Sequence, residues 1–325
     1  MSAPLVSEAE FAKIWREESG SPIAVSHRLN IDIRSVYQRR ERMARDGIVL
    51  ETQSVHSPYA FHKWHYARQV ELAIKGGSVL ICSDAHFWPG DAPPMWLAFV
   101  AVARAIKPAA IILNGDMIDG ARISRHPRLP GYSPTVAEEV ETLRAHLAML
   151  PATRSRHWTL GNHDARVDSY LATNASELSD YAGSLRDRFT DWPMTWAVVI
   201  NGTVEVRHRF RGGMHAAWNN ALHSGVTMVT GHTHQLGVRA VEDRRGVRYG
   251  VECGMIADPH GPQFQYGEGA PGRWRAGFVV LTFDAAGDLM PPEVCQWTDR
   301  GPFFRGEIWR NDGAKPRYKV KAGVA

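Results

Sequence analysis

The chain has 325 residues, of which 44% are hydrophobic and 22% charged, with a formal net charge of +4. That composition excludes wholesale disorder, and the length suffices for one substantial core plus a smaller unit. Three scattered cysteines (Cys82, Cys253, Cys295), no basic-then-apolar start, and a longest apolar stretch (95–106) broken by Arg104 argue against a disulfide scaffold, a secretory signal and a bilayer span. The expectation is a reduced, cytoplasmic protein without membrane contact. The small positive excess suits a phosphate-bearing partner but decides little by itself.

In chain order, Ser7 is placed to cap a helix that begins at Glu8 and runs to about residue 19. A second helix is predicted over about 22–29 and a third over about 33–46, stopped by Gly47. Asn30, between them, is suited to a left-handed turn. Ser26, Asn30 and Val36 stand where a helix-turn-helix has its small residue, turn residue and buried aliphatic, with Leu29, Ile31 and Tyr37 as further apolar contacts. Residues 21–48 thus resemble the helix-turn-helix of bacterial and phage regulators. The resemblance implies a DNA-facing third helix bearing Arg34, Arg39 and Arg40, with Arg42 and Arg45 flanking. The alternative is a three-helix unit for protein contacts, its arginines solvated.

A helical domain over 1–55 is therefore expected, followed by a linker over 56–76. Its aromatics and histidines (His56, Tyr59, Phe61, His62, Trp64, His65, Tyr66) suit a helix that docks its rings on the main domain, or a stacking surface for nucleic acid. Gly76-Gly77 mark the boundary. Beyond it, short apolar runs at 78–82, 109–113, 157–160, 204–206 and 226–230 alternate at first with helical stretches at about 94–106 and 133–149. Strand, crossover helix and strand indicate an α/β sheet covered by helices. Further strands are expected at about 237–253, 277–283 and 293–297. The main domain is taken as 77–310 and residues 311–325 as a loose basic tail.

Each of the five runs ends in polar residues of one kind. They are Asp84-Ala85-His86, then Asn114-Gly115-Asp116-Met117-Ile118-Asp119, then Gly161-Asn162-His163-Asp164, then His208, then Gly231-His232-Thr233-His234. Ligand sites in α/β sheets form beyond the carboxyl ends of strands, so five ends deliver carboxylates, an amide and imidazoles to one place. Carboxylates packed that closely repel one another and lose hydration. Divalent cations resolve the conflict, and mixed oxygen and nitrogen donors suit Mn²⁺, Fe²⁺ or Zn²⁺. Taken singly, each piece has an ordinary explanation as a turn or a hydrogen-bonded strand end; the ordered set does not.

In order and content these motifs resemble the calcineurin-like metallophosphoesterases, over about residues 77–260. The resemblance implies a four-layer α/β/β/α sandwich. It also implies two metal ions, one held by Asp84, His86, Asp116 and His234, the other by Asp116, Asn162, His208 and His232. Position at a strand end favours His208 over His215 and His223. The function implied is hydrolysis of a phosphate ester by in-line attack of a metal-bridging hydroxide. His163 would donate a proton to the departing oxygen, and Asp119 would orient it.

One branch fits less well. Phosphoprotein phosphatases carry Arg directly after the second Asp of this motif, where this chain has Gly120. Arg122, Arg125, His126 and Arg128 follow in a Pro-containing loop that suits a grip on substrate phosphate, or is simply solvated. The leading expectation is a Mn²⁺-dependent phosphodiesterase or nuclease of phage type. Behind it stand a hydrolase of small phosphoesters or nucleotides, and an inactive metal-binding scaffold. The complete ligand set and the retained His163 disfavour the last.

Overall fold

The structure is a computed structural model describing residues 6–18, 20–46, 48, 50, 66–124, 132–178, 183–267 and 272–309. The chain divides into two compact units, Met1–His65 and Tyr66–Ala325. Among the described residues no helix is long and apolar enough to cross a membrane. Of the linker residues singled out above, those before Tyr66 lie outside the described residues, as does the basic tail.

The first unit holds three helices, each begun by a side-chain cap. Ser7 accepts from the backbone of Glu10 to start α1 (Glu8–Glu17), Ser21 accepts from Ala24 to start α2 (Pro22–Leu29), and Asp32 accepts from Arg34 to start α3 (Ile33–Arg45). Asn30 ends α2 in the left-handed region at φ 49° and ψ 47°. The Ser26 hydroxyl donates to the Ile31 carbonyl at 2.7 Å across that turn. Phe11, Trp15, Val25, Val36 and Met43 form the core.

Two sequence expectations change here. Tyr37 is 47% exposed, because one step past the buried Val36 turns a side chain about 100° around the helix. Arg39 and Arg40 lie over the rings of Phe11 and Trp15, at 4.8 and 5.5 Å, and Arg39 also donates to the Val6 carbonyl. They cover the aromatic face of α1, whereas Arg34, Arg42 and Arg45 are exposed.

The second unit is built on two sheets. The larger has the strand order β14-β13-β12-β11-β2-β3-β4-β5, with β2 (Gly77–Cys82), β3 (Ala110–Leu113), β4 (Ser155–Thr159) and β5 (Met194–Thr195) parallel. Its antiparallel side is β11 (Gly277–Phe283), β12 (Glu293–Thr298), β13 (Gly301–Phe304) and β14 (Glu307–Ile308). The smaller has the order β1-β6-β7-β8-β10-β9, from β1 (Val70–Leu72), β6 (Val198–Ile200), β7 (Val204–Val206), β8 (Thr227–Thr230), β9 (Leu236–Asp243) and β10 (Gly246–Cys253). The expected linker therefore reaches too far: Val70–Leu72 is a strand, paired parallel with β6.

Strand alternation explains the layering. Val79, Ile81, Ala110 and Ile112 point from the larger sheet toward Val198, Val206, Val229 and Val251 of the smaller, making the core between the sheets. Leu80, Cys82, Ile111 and Leu113 point the other way, onto α4 (Pro94–Ile106) and α5 (Val136–Leu147). A strand buried on both faces reads as an unbroken apolar run, as β2 and β3 do. The helix α7 (Ala216–Ser224) covers the far face of the smaller sheet, on β8, β9 and β10. Helix, sheet, sheet and helix give the four layers. The five motif-bearing runs belong to both sheets rather than one: β2, β3 and β4 to the larger, β7 and β8 to the smaller.

Candidate binuclear metal centre

The strand ends converge. Donor atoms of Asp84, His86 and His234 lie within 4.8 Å of one another, as do those of Asp116, His208 and His232. A third such group, His86, Asp116 and His163, joins the two. At the centre, Oδ2 of Asp116 is 3.1 Å from Nε2 of His208, 4.0 Å from Nε2 of His86 and 3.9 Å from Nε2 of His163. Oδ1 of Asp84 is 3.2 Å from Nε2 of His234. His215 and His223 are exposed and belong to none of these groups.

The backbone makes this convergence at a conformational cost. Asp84, His86, Asp116, His232 and His234 all have positive φ, between 39° and 68°. They are five of the nine non-glycine residues so held among the described residues, and strain of this kind concentrates at functional sites. Two glycines are required by close approach. A Cβ on Gly161 would lie 2.0 Å from Oδ1 of Asp116, and one on Gly231 would lie 1.9 Å from Oγ of Ser83 and 2.7 Å from Oδ2 of Asp84.

Hydrogen bonds fix which imidazole nitrogen faces inward. Nδ1 of His208 donates to the Asn114 carbonyl at 2.7 Å, and Nδ1 of His86 donates to Oδ1 of Asp119 at 3.0 Å. In both rings Nε2 is thereby the nitrogen that could ligate a metal. The Asp84 carboxylate accepts the His232 backbone N–H and the Ser83 hydroxyl. Oδ1 of Asp116 accepts the His163 backbone N–H at 2.8 Å.

The donor set fits a pair of divalent cations. Nε2 of His86, Nε2 of His208 and Oδ1 of Asn162 are buried and have no hydrogen-bond partner, which buried polar atoms seldom tolerate. The charges point the same way. Burial opposes ionisation of Asp116, yet His208, His163 and His86 hold its carboxyl well below the usual range. Burial likewise opposes Asp84, and His208 and His234 hold it low. His208 is pushed up to about 10, because Asp116 and Asp84 outweigh its burial. Burial and the neighbouring imidazoles lower His86 and His232. Buried carboxylates that keep their charge beside inward-facing imidazole Nε2 atoms form a donor set that a cation can occupy, displacing the His208 proton as it binds.

Three further residues have roles that the sequence reading did not assign. Asp164 accepts the backbone N–H of Asp116, Met117 and Gly161 and the Trp158 indole N–H, each at 2.9 Å, and so holds two motifs together. Burial and nearby Asp116 push it up to about 6. Glu139, on α5, accepts from Asp119 at 2.9 Å, Gly120 at 2.6 Å and Ala121 at 3.1 Å, fixing the turn that carries Asp119. Arg166, the first residue of α6 (Arg166–Asn174), reaches back to Asp119 and His163. Position in the Gly-Asn-His-Asp motif was a usable signal for Asp164; Glu139 and Arg166 carried none. Arg122 donates to the Ser133 carbonyl at 2.7 Å, and Arg125, His126 and Arg128 lie outside the described residues.

Residues 77–249 match the family model described as Calcineurin-like phosphoesterase. The chain is 24% identical over 256 residues to the Gene 54 protein of Mycobacterium phage D29, covering 71% of this chain and 98% of that protein. It is 27% identical over 168 residues to the Gene 54 protein of Mycobacterium phage L5, covering 46% and 64% respectively. Among solved structures it is similar to Yfce, a phosphoesterase from E. coli, at 16% identity and TM-score 0.32, over 66% of this chain and 97% of that one. It is also similar to a dimetal phosphatase from Danio rerio, at 11% identity and TM-score 0.37, over 70% and 96%.

Proposed function

This chain belongs to the calcineurin-like phosphoesterase family, a metal-dependent hydrolase, and from that premise we propose that it cleaves phosphodiesters, nucleic acid being the substrate class. The observation that carries the reading is the pair of donor groups sharing Asp116. In the proposed assignment, Asp84, His86 and His234 hold one cation, Asn162, His208 and His232 the other, and Asp116 both. Mn²⁺ is the proposed metal, on the mixed carboxylate, amide and imidazole donors. When bound, two such cations activate a water for in-line attack and neutralise the phosphoryl oxygens.

The chain's own residues do the rest. His163 faces Asp119 through Nδ1, at 2.7 Å from its carbonyl and 3.2 Å from Oδ1, so its Nε2 is the atom that serves the departing oxygen. Burial works against a charged His163, but Asp119 and Asp116 prevail and raise it, favouring the proton-carrying form. Asp119 orients both His163 and His86, and Glu139 holds Asp119 in place.

Preference for a diester is supported by the surface beside His208. Arg207, Arg209 and Arg211 alternate with His208 and Phe210, and Arg209 lies close enough to His232 to lower its basicity. Phe210 is exposed in that segment, and Arg207 and Arg211 lie over its ring. Arginines interleaved with an exposed aromatic suit the backbone and bases of a nucleic-acid strand flanking the scissile bond. In the first unit, DNA contact would fall to Arg34, Arg42 and Arg45, since Arg39 and Arg40 are engaged with α1.

Parallel hydrolysis of bis-p-nitrophenyl phosphate and p-nitrophenyl phosphate with added Mn²⁺ tests the proposal. A kcat/KM for the diester at least about tenfold above the monoester is expected; the reverse order would move the assignment to small monoesters.

A further inference from the structure

We infer that Arg166 is a substrate-binding residue that grips the phosphoryl group from the His163 side of the pocket. The inference rests on the phosphoesterase reading above. Nη1 of Arg166 donates to the Asp119 carbonyl at 2.8 Å and approaches the Gly120 carbonyl at 3.4 Å, which fixes the plane of the guanidinium. Nη2 then lies 3.3 Å from Nε2 of His163. The stem passes over Gly120, where a Cβ would come within 3.3 Å of the Arg166 Cδ.

Among the described residues the charge on this arginine meets no carboxylate partner, and Arg166 is half-buried. Its guanidinium is spent on two carbonyls and an imidazole, none of them an anion. A partly desolvated cation of this kind is favoured by the arrival of an anion. Phosphate oxygens meet the guanidinium fork with charge-assisted bonds, and a rigid planar donor positions them.

The geometry specifies which oxygens. Nη2 donates to Nε2 of His163 at 3.3 Å in the structure, so an ester oxygen that enters between the two nitrogens would take over the Nη2 donor and face Nε2, which would carry the proton once His163 is charged. Arg166 therefore sets the phosphoryl group against His163.

The test uses the full chain loaded with Mn²⁺ and the variants Arg166→Met, which keeps the stem without the charge, and Arg166→Lys. Steady-state hydrolysis of bis-p-nitrophenyl phosphate and calorimetric binding of inorganic phosphate are both read, with metal content as a control. Arg166→Met is expected to retain two metals, to raise KM about tenfold or more and to weaken phosphate binding by a similar factor. Arg166→Lys is expected to restore part of the binding. Unchanged KM and unchanged phosphate affinity in Arg166→Met overturn the proposal. Weaker phosphate binding in Arg166→Met, together with a wild-type chain that hydrolyses no ester, upholds the phosphate contact while removing the esterase reading. Should Arg166→Met fail to fold, Arg166→Gln replaces it in the same two assays, with the same outcomes deciding.

Discussion

Oδ1 of Asp119 stands 3.2 Å from Nδ1 of His163, and the Asp119 carbonyl accepts from the same nitrogen at 2.7 Å. One residue therefore holds the imidazole through both its side chain and its backbone. The same Oδ1 accepts from Nδ1 of His86 at 3.0 Å, tying the histidine proposed as proton donor to a proposed metal ligand. The two residues should consequently separate on substitution. His163→Ala is expected to keep both metals and lower kcat by about 10²–10⁴, the usual contribution of a positioned acid. Asp119→Ala should lower kcat and also weaken the cation held by His86 by about 10–100-fold, since it removes that ligand's outer partner. Elemental analysis beside turnover distinguishes them; loss of metal in His163→Ala would contradict its role.

Glu139 supports this pair from α5. Its carboxylate accepts three consecutive backbone N–H groups, from Asp119, Gly120 and Ala121, although burial pushes it up to about 7. Glu139→Ala leaves those donors without an acceptor, at about 1–3 kcal/mol for each that stays buried. The expected result is a Tm several degrees lower and reduced kcat with metal content retained, read by thermal melting and turnover. An unchanged Tm would show that the turn does not depend on Glu139.

Glu139 marks the limit of what the sequence made legible. The proposed ligands could be read because each follows an apolar run within a short polar motif, and the cap Ser7 because capping is local. Glu139 sits in Ala137-Glu138-Glu139-Val140-Glu141, where three acids look alike and only the fold selects the one beneath the Asp119 turn. The division of β7 and β8 from β2, β3 and β4 into separate sheets was equally hidden, because a strand's neighbours are not encoded in its own alternation. Arg39 and Arg40 read as a basic helix face because nothing local in α3 shows that Phe11 and Trp15 lie beneath them.

His208 gives a pH prediction. Its folded-state value is raised to about 10 from the ordinary 6.5, with Asp116 and Asp84 outweighing burial. A raised value means that its stabilising contribution is complete below about 6.5 and is lost as pH climbs toward about 10. Binding a cation needs the bare Nε2, so loading at neutral pH displaces a proton. Mn²⁺ affinity is expected to rise with pH by roughly tenfold per unit for one proton released. Calorimetry in buffers of different ionisation enthalpy measures the release directly; pH-independent affinity without proton release would contradict it.

Gly161 tests the closeness of the packing. A methyl group there meets Oδ1 of Asp116 at 2.0 Å and its backbone nitrogen at 2.4 Å, both rigidly held. Gly161→Ala is expected to displace Asp116 and cut kcat/KM by about 10² or more, as misplacement by an ångström does. Near-normal turnover in this variant would mean that the pocket yields more readily than its geometry indicates.

The most direct measurement is the metal content of the purified chain after Mn²⁺ loading and desalting, alongside Asp116→Asn and His234→Ala. A shared pocket predicts two ions per chain in the wild type, one in His234→Ala, and loss of both in Asp116→Asn, whose carboxylate serves the pair. A wild-type chain that retains a single ion, or an Asp116→Asn variant that still holds two, would contradict the binuclear site.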